Sequence, residues 1–283
     1  MKVGFIGLGN LGKALVGRLV SEGVNLTVWN RTREKASGLD LPIADSPAAL
    51  IGMVDVLFLN LFDSKAVGSV LTGDEGILKA GCRGKIIIDT TTNHFSSVGS
   101  FHELLAGAGA SYLEAPVLGS VVPASKGLLT ILVSGKRPAY EEALPYLEKI
   151  GKDIFYLEEP ALATKMKLIN NLVLGSFMAT LAEAIVLGEK TGIDKETVID
   201  ILSSGAGNSL VLNAKREKII NEDFSTHFSS SLIYKDLHYL QDLARTLKSP
   251  AFTASVTKEL FAMTLLRGME DLDFSAIYRV LKD

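Results

Sequence analysis

The chain has 283 residues, of which 47% are hydrophobic and 22% are charged, and its formal net charge is −3. These values are ordinary for a folded globular protein; they exclude a disordered or collagen-like chain and give no reason to expect nucleic acid as a partner. Because this length exceeds one comfortable hydrophobic core, we expect two domains.

The first half of the chain alternates between strand and helix patterns. Short apolar runs predict strands at residues 3–6, 26–29, 54–60, 85–89, 112–114, 129–133 and 153–156. Helical spacing of apolar residues predicts a helix after the glycines that follow the first strand, and others at residues 48–52, 64–71, 97–107 and 138–150. Apolar strands separated by helices imply a mainly parallel sheet covered on both faces. We therefore predict a doubly wound α/β domain over residues 1–158.

From Pro160 onward the pattern is helical. An apolar stripe predicts one helix from residue 160 to residue 191, which Gly192 ends. A helix of roughly 30 residues would be about 45 Å long, which suits a helix joining two domains. Asp194 can cap the next helix, and further helices are predicted at residues 210–220, 232–247, 252–267 and 274–281. We predict that residues 159–283 form an all-α domain.

Signals for disulfides, metals, secretion or membrane insertion are not expected. The single cysteine, Cys82, can form neither an internal disulfide nor a thiolate metal cluster, and the four histidines lack metal-ligand spacing. Glycines and Lys13 interrupt the apolar start of the chain, so no signal peptide is predicted. Polar residues break the longest apolar stretch, residues 166–187, which favours a buried helix over a membrane span. A cytoplasmic protein is expected.

A glycine-rich motif follows the first predicted strand and opens a helix. Gly7-Leu8-Gly9-Asn10-Leu11-Gly12 matches the G-x-G-x-x-G pattern in the strand-turn-helix context that dinucleotide binding requires. Gly7 permits the tight turn, Gly9 lets the backbone approach a pyrophosphate, and Gly12 allows close helix packing. The helix N-terminus then offers N–H groups and a partial positive charge to phosphates. This predicts a Rossmann-type dinucleotide site; a glycine-rich turn without a ligand is the alternative.

The end of the second predicted strand indicates which dinucleotide is bound. NAD-binding units usually carry Asp or Glu there, to hold the ribose 2′-hydroxyl. Here the neutral Asn30 is followed by Arg31 and Thr32, and Arg31 can form charge-assisted hydrogen bonds to a 2′-phosphate. We therefore expect NADP, with NAD bound less well. Alternatively, Arg31 and Arg33 are solvated loop charges.

Further segments resemble the β-hydroxyacid dehydrogenase family, which includes 3-hydroxyisobutyrate dehydrogenases and glyoxylate/succinic semialdehyde reductases. They are residues 89–92 (DTTT), 114–120 (EAPVLGS), 166–171 (MKLINN) and 235–237 (KDL). The resemblance runs nearly end to end, and residues 28–32 and 271–275 resemble the semialdehyde reductase branch. It implies a Rossmann domain joined by a long helix to an all-helical domain, and a homodimer or homotetramer.

The resemblance also implies roles for individual residues. Lys167 and Asn171 would be catalytic. Substrate-binding roles are implied for Thr92, Leu118, Gly119, Ser120, Asn170, Phe228 and Asp236. Cofactor-binding roles are implied for Gly7, Leu8, Gly9, Asn10, Leu11, Gly12, Asn30, Arg31, Thr32, Leu61, Thr92 and Lys235.

Lys167 is the candidate acid/base on chemical grounds as well. Hydride transfer to a carbonyl carbon requires a proton on its oxygen. Asn170 and Asn171 follow Lys167 at helical spacing, so the three side chains can share one face, and burial would lower the pKa of the lysine. The alternatives are a snorkelling Lys167, an exposed Lys235–Asp236 charge pair, and ordinary core packing for Phe228. Lys165 is expected to be solvated.

The sequence departs from the family pattern at two places. Leu118 stands where the family usually has serine, and Ser120 stands where it has glycine. These changes leave the identity of the substrate undetermined. Ala161 and Ala163 replace the glycines of a G-x-G segment before the catalytic lysine. Alanine at these positions is unfavourable only if the backbone needs positive φ or approaches another segment closely.

We expect an NADP-dependent reductase of a small carboxylate-bearing aldehyde, such as glyoxylate or succinic semialdehyde. The enzymatic alternative is oxidation of 3-hydroxyisobutyrate or of a related 3-hydroxy acid such as L-serine. An alternative of another class is a non-catalytic dinucleotide-binding module. Turnover of small aldehydes and hydroxy acids discriminates among the three.

Overall fold

The structure, a computed structural model, describes all residues 1–283 and divides into two compact units, Met1–Lys167 and Leu168–Asp283. Its strands are β1 (Val3–Ile6), β2 (Leu26–Trp29), β3 (Val56–Leu59), β4 (Ile86–Asp89), β5 (Ser111–Glu114), β6 (Val117–Leu118), β7 (Leu129–Val133) and β8 (Gly151–Tyr156). Its helices are α1 (Asn10–Ser21), α2 (Pro47–Met53), α3 (Ser64–Thr72), α4 (Phe95–Gly107), α5 (Val121–Ser125), α6 (Arg137–Ile150), α7 (Leu162–Lys190), α8 (Lys195–Ser204), α9 (Leu210–Ile220), α10 (Ser230–Thr246), α11 (Phe252–Leu266) and α12 (Ile277–Lys282).

A five-stranded parallel sheet forms the centre of the first unit, as predicted. Its strand order is β2-β1-β3-β4-β5, and every neighbouring pair is parallel. All residues of β1, β3 and β4 are buried, and buried apolar residues of the unit pack in two core clusters. Strand order reverses between β1 and β3, and in open α/β sheets the crevice at the carboxyl ends of such strands binds ligands.

A second, three-stranded sheet lies in the same unit and was not predicted as separate. Strand β7 pairs antiparallel with β6 and parallel with β8. The sequence pattern missed β6 and α5 because two and five residues are too short for hydrophobic periodicity to register. Strand β8 begins at Gly151, earlier than the predicted residue 153.

The second unit is all-helical, as predicted. Helix α7, with 29 residues, starts within the first unit and continues into the second. By length and composition alone α7 could cross a membrane, and core helices of soluble proteins satisfy the same criteria. The Asp194 side chain caps α8 by accepting a hydrogen bond from the Thr197 amide. The predicted last helix is a 3-10 turn over Phe274–Ala276 that leads into α12.

Candidate active site

The glycine-rich loop connects β1 to α1, and each of its glycines is in a different environment. Gly7 has a φ of +103°, and a Cβ there would lie 2.1 Å from the Asn60 carbonyl oxygen. A Cβ on Gly12 would lie 1.9 Å from the Gly7 carbonyl oxygen. A Cβ on Gly9 would meet nothing within 4 Å, so its backbone is open to an approaching ligand. Gly9 also precedes α1 without a side-chain cap, which suits binding of a pyrophosphate by backbone N–H groups.

Asn30 braces the glycine-rich loop from the end of β2. Its Oδ1 accepts a hydrogen bond from the Leu8 amide at 2.8 Å, and its Nδ2 donates to the Thr32 carbonyl at 2.8 Å. The two arginines that follow differ: Arg33 forms an ion pair with Asp45 at 3.1 Å, whereas Arg31 is exposed and forms no ion pair. Arg31 is therefore the arginine that is available to an anionic ligand.

A cavity of about 700 Å³ opens beside this segment within the first unit. Its lining includes Asn30, Arg31, Thr32, Lys35, Leu61 and Lys65. Acidic side chains line it as well, but the carboxylate of Asp63 already caps α3 by accepting from the Ala66 amide. Together with the open backbone of Gly9, these residues fit the adenosine end and the pyrophosphate of a dinucleotide.

The turn after β4 places Thr92 between two residues that Asp89 anchors. Buried Asp89 accepts hydrogen bonds from the Thr91 amide at 2.9 Å and from Asn93 Nδ2 at 2.8 Å. The Tyr112 hydroxyl donates to the same carboxylate at 2.7 Å. Burial raises the pKa of Asp89, and the hydrogen bonds from these three residues oppose that rise. The hydrogen bonds of Asp89 to the residues on either side therefore hold the backbone conformation at Thr92.

The same turn is tied to the end of β3, where Leu61 lies. The Leu61 amide donates to Thr91 Oγ1 at 2.9 Å, and Asn60 Nδ2 donates to Thr90 Oγ1 at 2.9 Å. The candidate residues Leu61 and Thr92 thus follow the ends of two neighbouring strands. Hydrogen bonds to threonine side chains connect the two segments.

The candidate substrate loop runs from β6 into the short helix α5. Half-buried Leu118 pairs with Thr130 of β7, so its backbone belongs to the second sheet. Gly119 has a φ of +120°, and a Cβ there would lie 2.7 Å from Leu129 Cδ2. Ser120 precedes α5 without a side-chain capping bond. The hydroxyl of Ser120, the residue that stands where the family has glycine, thus does not cap α5.

Lys167 is buried and held against the substrate loop. The residue is only 6% exposed, and its Nζ donates a hydrogen bond to the Val117 carbonyl at 2.7 Å. Lys165, two residues earlier on α7, is more exposed. A buried ammonium on a backbone carbonyl differs from a snorkelling lysine, whose charge stays in water.

The first turn of α7 is capped by side chains from other segments. Buried Glu114, at the end of β5, accepts hydrogen bonds from the Ala161 amide, from the Thr164 amide at 3.1 Å and from the Thr164 hydroxyl at 2.6 Å. Ser134 Oγ accepts from the Ala163 amide at 3.0 Å. Sequence reasoning missed both anchors; the available signal was that no Ser, Thr, Asp or Asn directly precedes this helix.

Of the two alanines that replace family glycines, one adopts a glycine-like conformation. Ala161 has a φ of +68°, in the left-handed region, whereas Ala163 does not have positive φ. Of the two conditions under which alanine is unfavourable there, positive φ therefore applies to Ala161 alone.

Four candidate residues of the helical unit form one polar cluster. Asn170 Nδ2 donates to Asn171 Oδ1 at 3.2 Å, and Asn171 Nδ2 donates to Asp236 Oδ2 at 2.6 Å. Lys235 Nζ lies 2.9 Å from Asp236 Oδ1, but without hydrogen-bond alignment. Asn171 and Asp236 are buried, so the expected alternative of an exposed charge pair does not describe Asp236.

Phe228 lies outside that cluster and packs in an aromatic group. Its ring makes an edge contact with Phe274 at a centroid distance of 5.7 Å, and its amide donates to Asp273 Oδ2 at 3.2 Å. Asp273 also pairs with Lys215 at 2.9 Å, and both residues are buried. Burial acts to raise the pKa of Asp273, but Lys215 and Ser275 outweigh it and hold that pKa below its usual range.

Comparison with known proteins agrees with this geometry in both units. Residues 2–158 match the family model described as the NAD binding domain of 6-phosphogluconate dehydrogenase. Residues 162–281 match the model described as NAD-binding of NADP-dependent 3-hydroxyisobutyrate dehydrogenase. The chain belongs to the β-hydroxyacid dehydrogenase family. As a member, it is an NAD(P)-binding oxidoreductase that acts on CH–OH groups, and the predictions of family, fold class and nicotinamide cofactor are confirmed at that level.

Proteins similar to this β-hydroxyacid dehydrogenase include a reductase, a nuclear factor and a protein solved with NADP+. Glyoxylate/succinic semialdehyde reductase 1 of Arabidopsis thaliana is 34% identical over 285 residues, which cover 100% of this chain and 99% of that protein. Cytokine-like nuclear factor N-PAC of Homo sapiens is 35% identical over 98% of this chain, which corresponds to 51% of its own length. A solved structure of Psf3 in complex with NADP+ and 2-OPP is 30% identical, with a TM-score of 0.91 over 99% of both chains.

Proposed function

We propose that this protein is an NADP-dependent reductase of a small carboxylate-bearing aldehyde, glyoxylate or succinic semialdehyde. The observation that carries the proposal is the buried Lys167, whose Nζ is held on the carbonyl of Val117 in the substrate loop. A relative that this chain covers almost completely is a glyoxylate/succinic semialdehyde reductase, which supports the substrate class.

The chemistry divides between the cofactor and the chain. When bound, the reduced nicotinamide dinucleotide supplies a hydride to the carbonyl carbon. Lys167 stabilises the developing negative charge on the substrate oxygen and donates a proton from Nζ to that oxygen. The Val117 carbonyl accepts one N–H of the ammonium and so limits the directions that the remaining N–H donors take.

Substrate orientation falls to residues on the two candidate loops of the first unit. The backbone N–H groups at Gly119 and Ser120, with the Thr92 and Ser120 hydroxyls, orient the substrate carboxylate. Asn171 is held by Asp236 and presents its amide in a fixed direction.

The cofactor preference rests on the contrast between two arginines. Arg31 is unpaired beside the neutral Asn30, and Arg33 is already paired with Asp45. Replacing Arg31 by alanine is expected to raise the KM for NADPH tenfold or more, since a charge-assisted hydrogen bond contributes roughly 1.5–3 kcal/mol, and to leave the KM for NADH nearly unchanged. Arg33→Ala serves as the matched control and should change neither value. Equal effects of Arg31→Ala on both cofactors would refute NADP preference.

A substrate panel tests the reaction itself. NADPH consumption is measured with glyoxylate, succinic semialdehyde and uncharged aldehydes of similar size, and NADP+ reduction with 3-hydroxyisobutyrate and L-serine. The proposal predicts the highest kcat/KM for a carboxylated aldehyde. Faster oxidation of a hydroxy acid would instead favour the 3-hydroxyisobutyrate dehydrogenase alternative, and NADPH binding without turnover of any compound would favour a non-catalytic module.

A further inference from the structure

The geometry points to Glu114 as a positioning residue for the reaction: its carboxylate holds the first turn of the helix that carries Lys167. This inference rests on the proposed function, because it assigns Glu114 a purpose only if Lys167 is the acid/base. Glu114 would act through the backbone of α7 and would not touch the substrate.

Both carboxylate oxygens of Glu114 are engaged by this turn. Oε1 accepts from the Ala161 amide, and Oε2 accepts from the Thr164 amide at 3.1 Å and from its hydroxyl at 2.6 Å. Glu114 is 1% exposed, so water cannot replace it as an acceptor. The Glu114 carboxylate also lies at the positive end of the α7 dipole, where a negative charge stabilises the helix.

The same short segment holds the lysine from its other end. Glu114 ends β5, and Val117, three residues later, provides the carbonyl that accepts from Lys167 Nζ at 2.7 Å. Segment 114–117 therefore contacts α7 at two points. Glu114 accepts hydrogen bonds from the first turn of the helix, and the Val117 carbonyl accepts one from the Lys167 ammonium. A shift of that turn relative to β5 would displace Lys167 Nζ from Val117, and displacements of about 1 Å can cost up to about a hundredfold in rate.

Glu114 also explains how Ala161 is kept in an unfavourable conformation. Ala161 has a φ of +68°, and the amide of this residue is one that Glu114 holds. Without the carboxylate, Ala161 would relax towards negative φ, and the entry into α7 would change direction. Glycine at position 161 has no such tendency, so it should make the turn less dependent on Glu114.

The experiment compares Glu114→Gln, Glu114→Gln/Ala161→Gly and the control Asp194→Asn. Glutamine keeps the shape of Glu114 but turns an N–H₂ group towards N–H donors. Asp194 caps α8 in a similar way and holds no candidate site residue. We expect kcat to fall about tenfold in Glu114→Gln, with the Kd for NADPH within twofold of wild type, because the turn and not the cofactor cavity is altered. Adding Ala161→Gly should raise kcat at least threefold above that of Glu114→Gln alone. The control Asp194→Asn should retain wild-type kcat.

A milder variant decides the matter if Glu114→Gln does not fold. Thr164→Val removes only the hydroxyl that donates to Oε2, and kcat is expected to fall about threefold, whereas Thr164→Ser retains it. Wild-type kcat in both Glu114→Gln and Thr164→Val would overturn the inference, as would a loss that appears equally in NADPH affinity. Lys167→Met is assayed in parallel: if it is inactive while Glu114→Gln is normal, only the role of Glu114 fails, and if it is active, the proposed function fails.

Discussion

Two turns of the first unit, among several with a left-handed backbone, adopt this conformation with different residues. The glycine-rich loop uses Gly7, with a φ of +103°, and the entry into α7 uses Ala161, with a φ of +68°. At Gly7 a Cβ would lie 2.1 Å from a backbone oxygen, so no other residue fits. Ala161 experiences only the local strain of its own Cβ, and Glu114 holds its amide. Close backbone approach, more than positive φ, makes a glycine irreplaceable.

The largest expected effect concerns the glycines of the cofactor loop. Gly12→Ala would place a Cβ 1.9 Å from the Gly7 carbonyl oxygen, so the loop must move. We expect the free energy of unfolding to fall by roughly 1–3 kcal/mol and dinucleotide affinity to fall at least about a hundredfold. Denaturant unfolding and fluorescence titration with NADPH measure the two quantities.

Gly9→Ala separates cofactor approach from packing in the same loop. Its Cβ meets nothing within 4 Å, so the unfolding free energy should stay within about 0.5 kcal/mol of wild type. NADPH affinity should nevertheless fall, since the added methyl group occupies the space of the approaching phosphates. Unchanged NADPH affinity in Gly9→Ala would contradict the assignment of this loop to the pyrophosphate.

The smallest expected effect concerns the alanine turn. Ala161→Gly should raise the free energy of unfolding by about 1 kcal/mol, because it removes the Cβ strain at positive φ, and should raise Tm by roughly 2–4 °C. Ala163→Gly is the matched control: Ala163 lies within α7 without positive φ, so this change should lower stability by up to about 1 kcal/mol. Calorimetry of both variants checks the two signs, and a destabilised Ala161→Gly protein would show that Ala161 is not strained.

The cofactor loop and most helices could be predicted from the sequence because their signals are local. Gly7 to Gly12 are consecutive with the strand and helix that they join, and Asp194 caps a helix that begins at the next residue. The capping of α7 could not be predicted, because Glu114 lies 47 residues before Ala161 and only the fold brings them together. The second sheet was missed for a related reason: β6 has only two residues, and its partner β7 supplies the pairing.

The candidate site shows the same division. The motifs that suggested Lys167, Asn171 and Asp236 lie at residues that are buried in the structure. They did not indicate that the Lys167 ammonium binds the Val117 carbonyl, nor that Asp236 is the partner of Asn171. Spacing along one helix predicts which residues share a face, but hydrogen-bond partners on other segments depend on tertiary packing.

The most direct test of the account is the steady-state rate of Lys167→Met with NADPH and the best aldehyde of the substrate panel, measured beside Lys165→Met. Methionine preserves the length and apolar character of the lysine stem but has no proton to donate. General acid catalysis typically contributes about 10²–10⁴-fold, so kcat should fall by at least about a hundredfold in Lys167→Met and remain near wild type in Lys165→Met. A Lys167→Met protein that retains wild-type kcat would contradict the central claim that Lys167 supplies the proton.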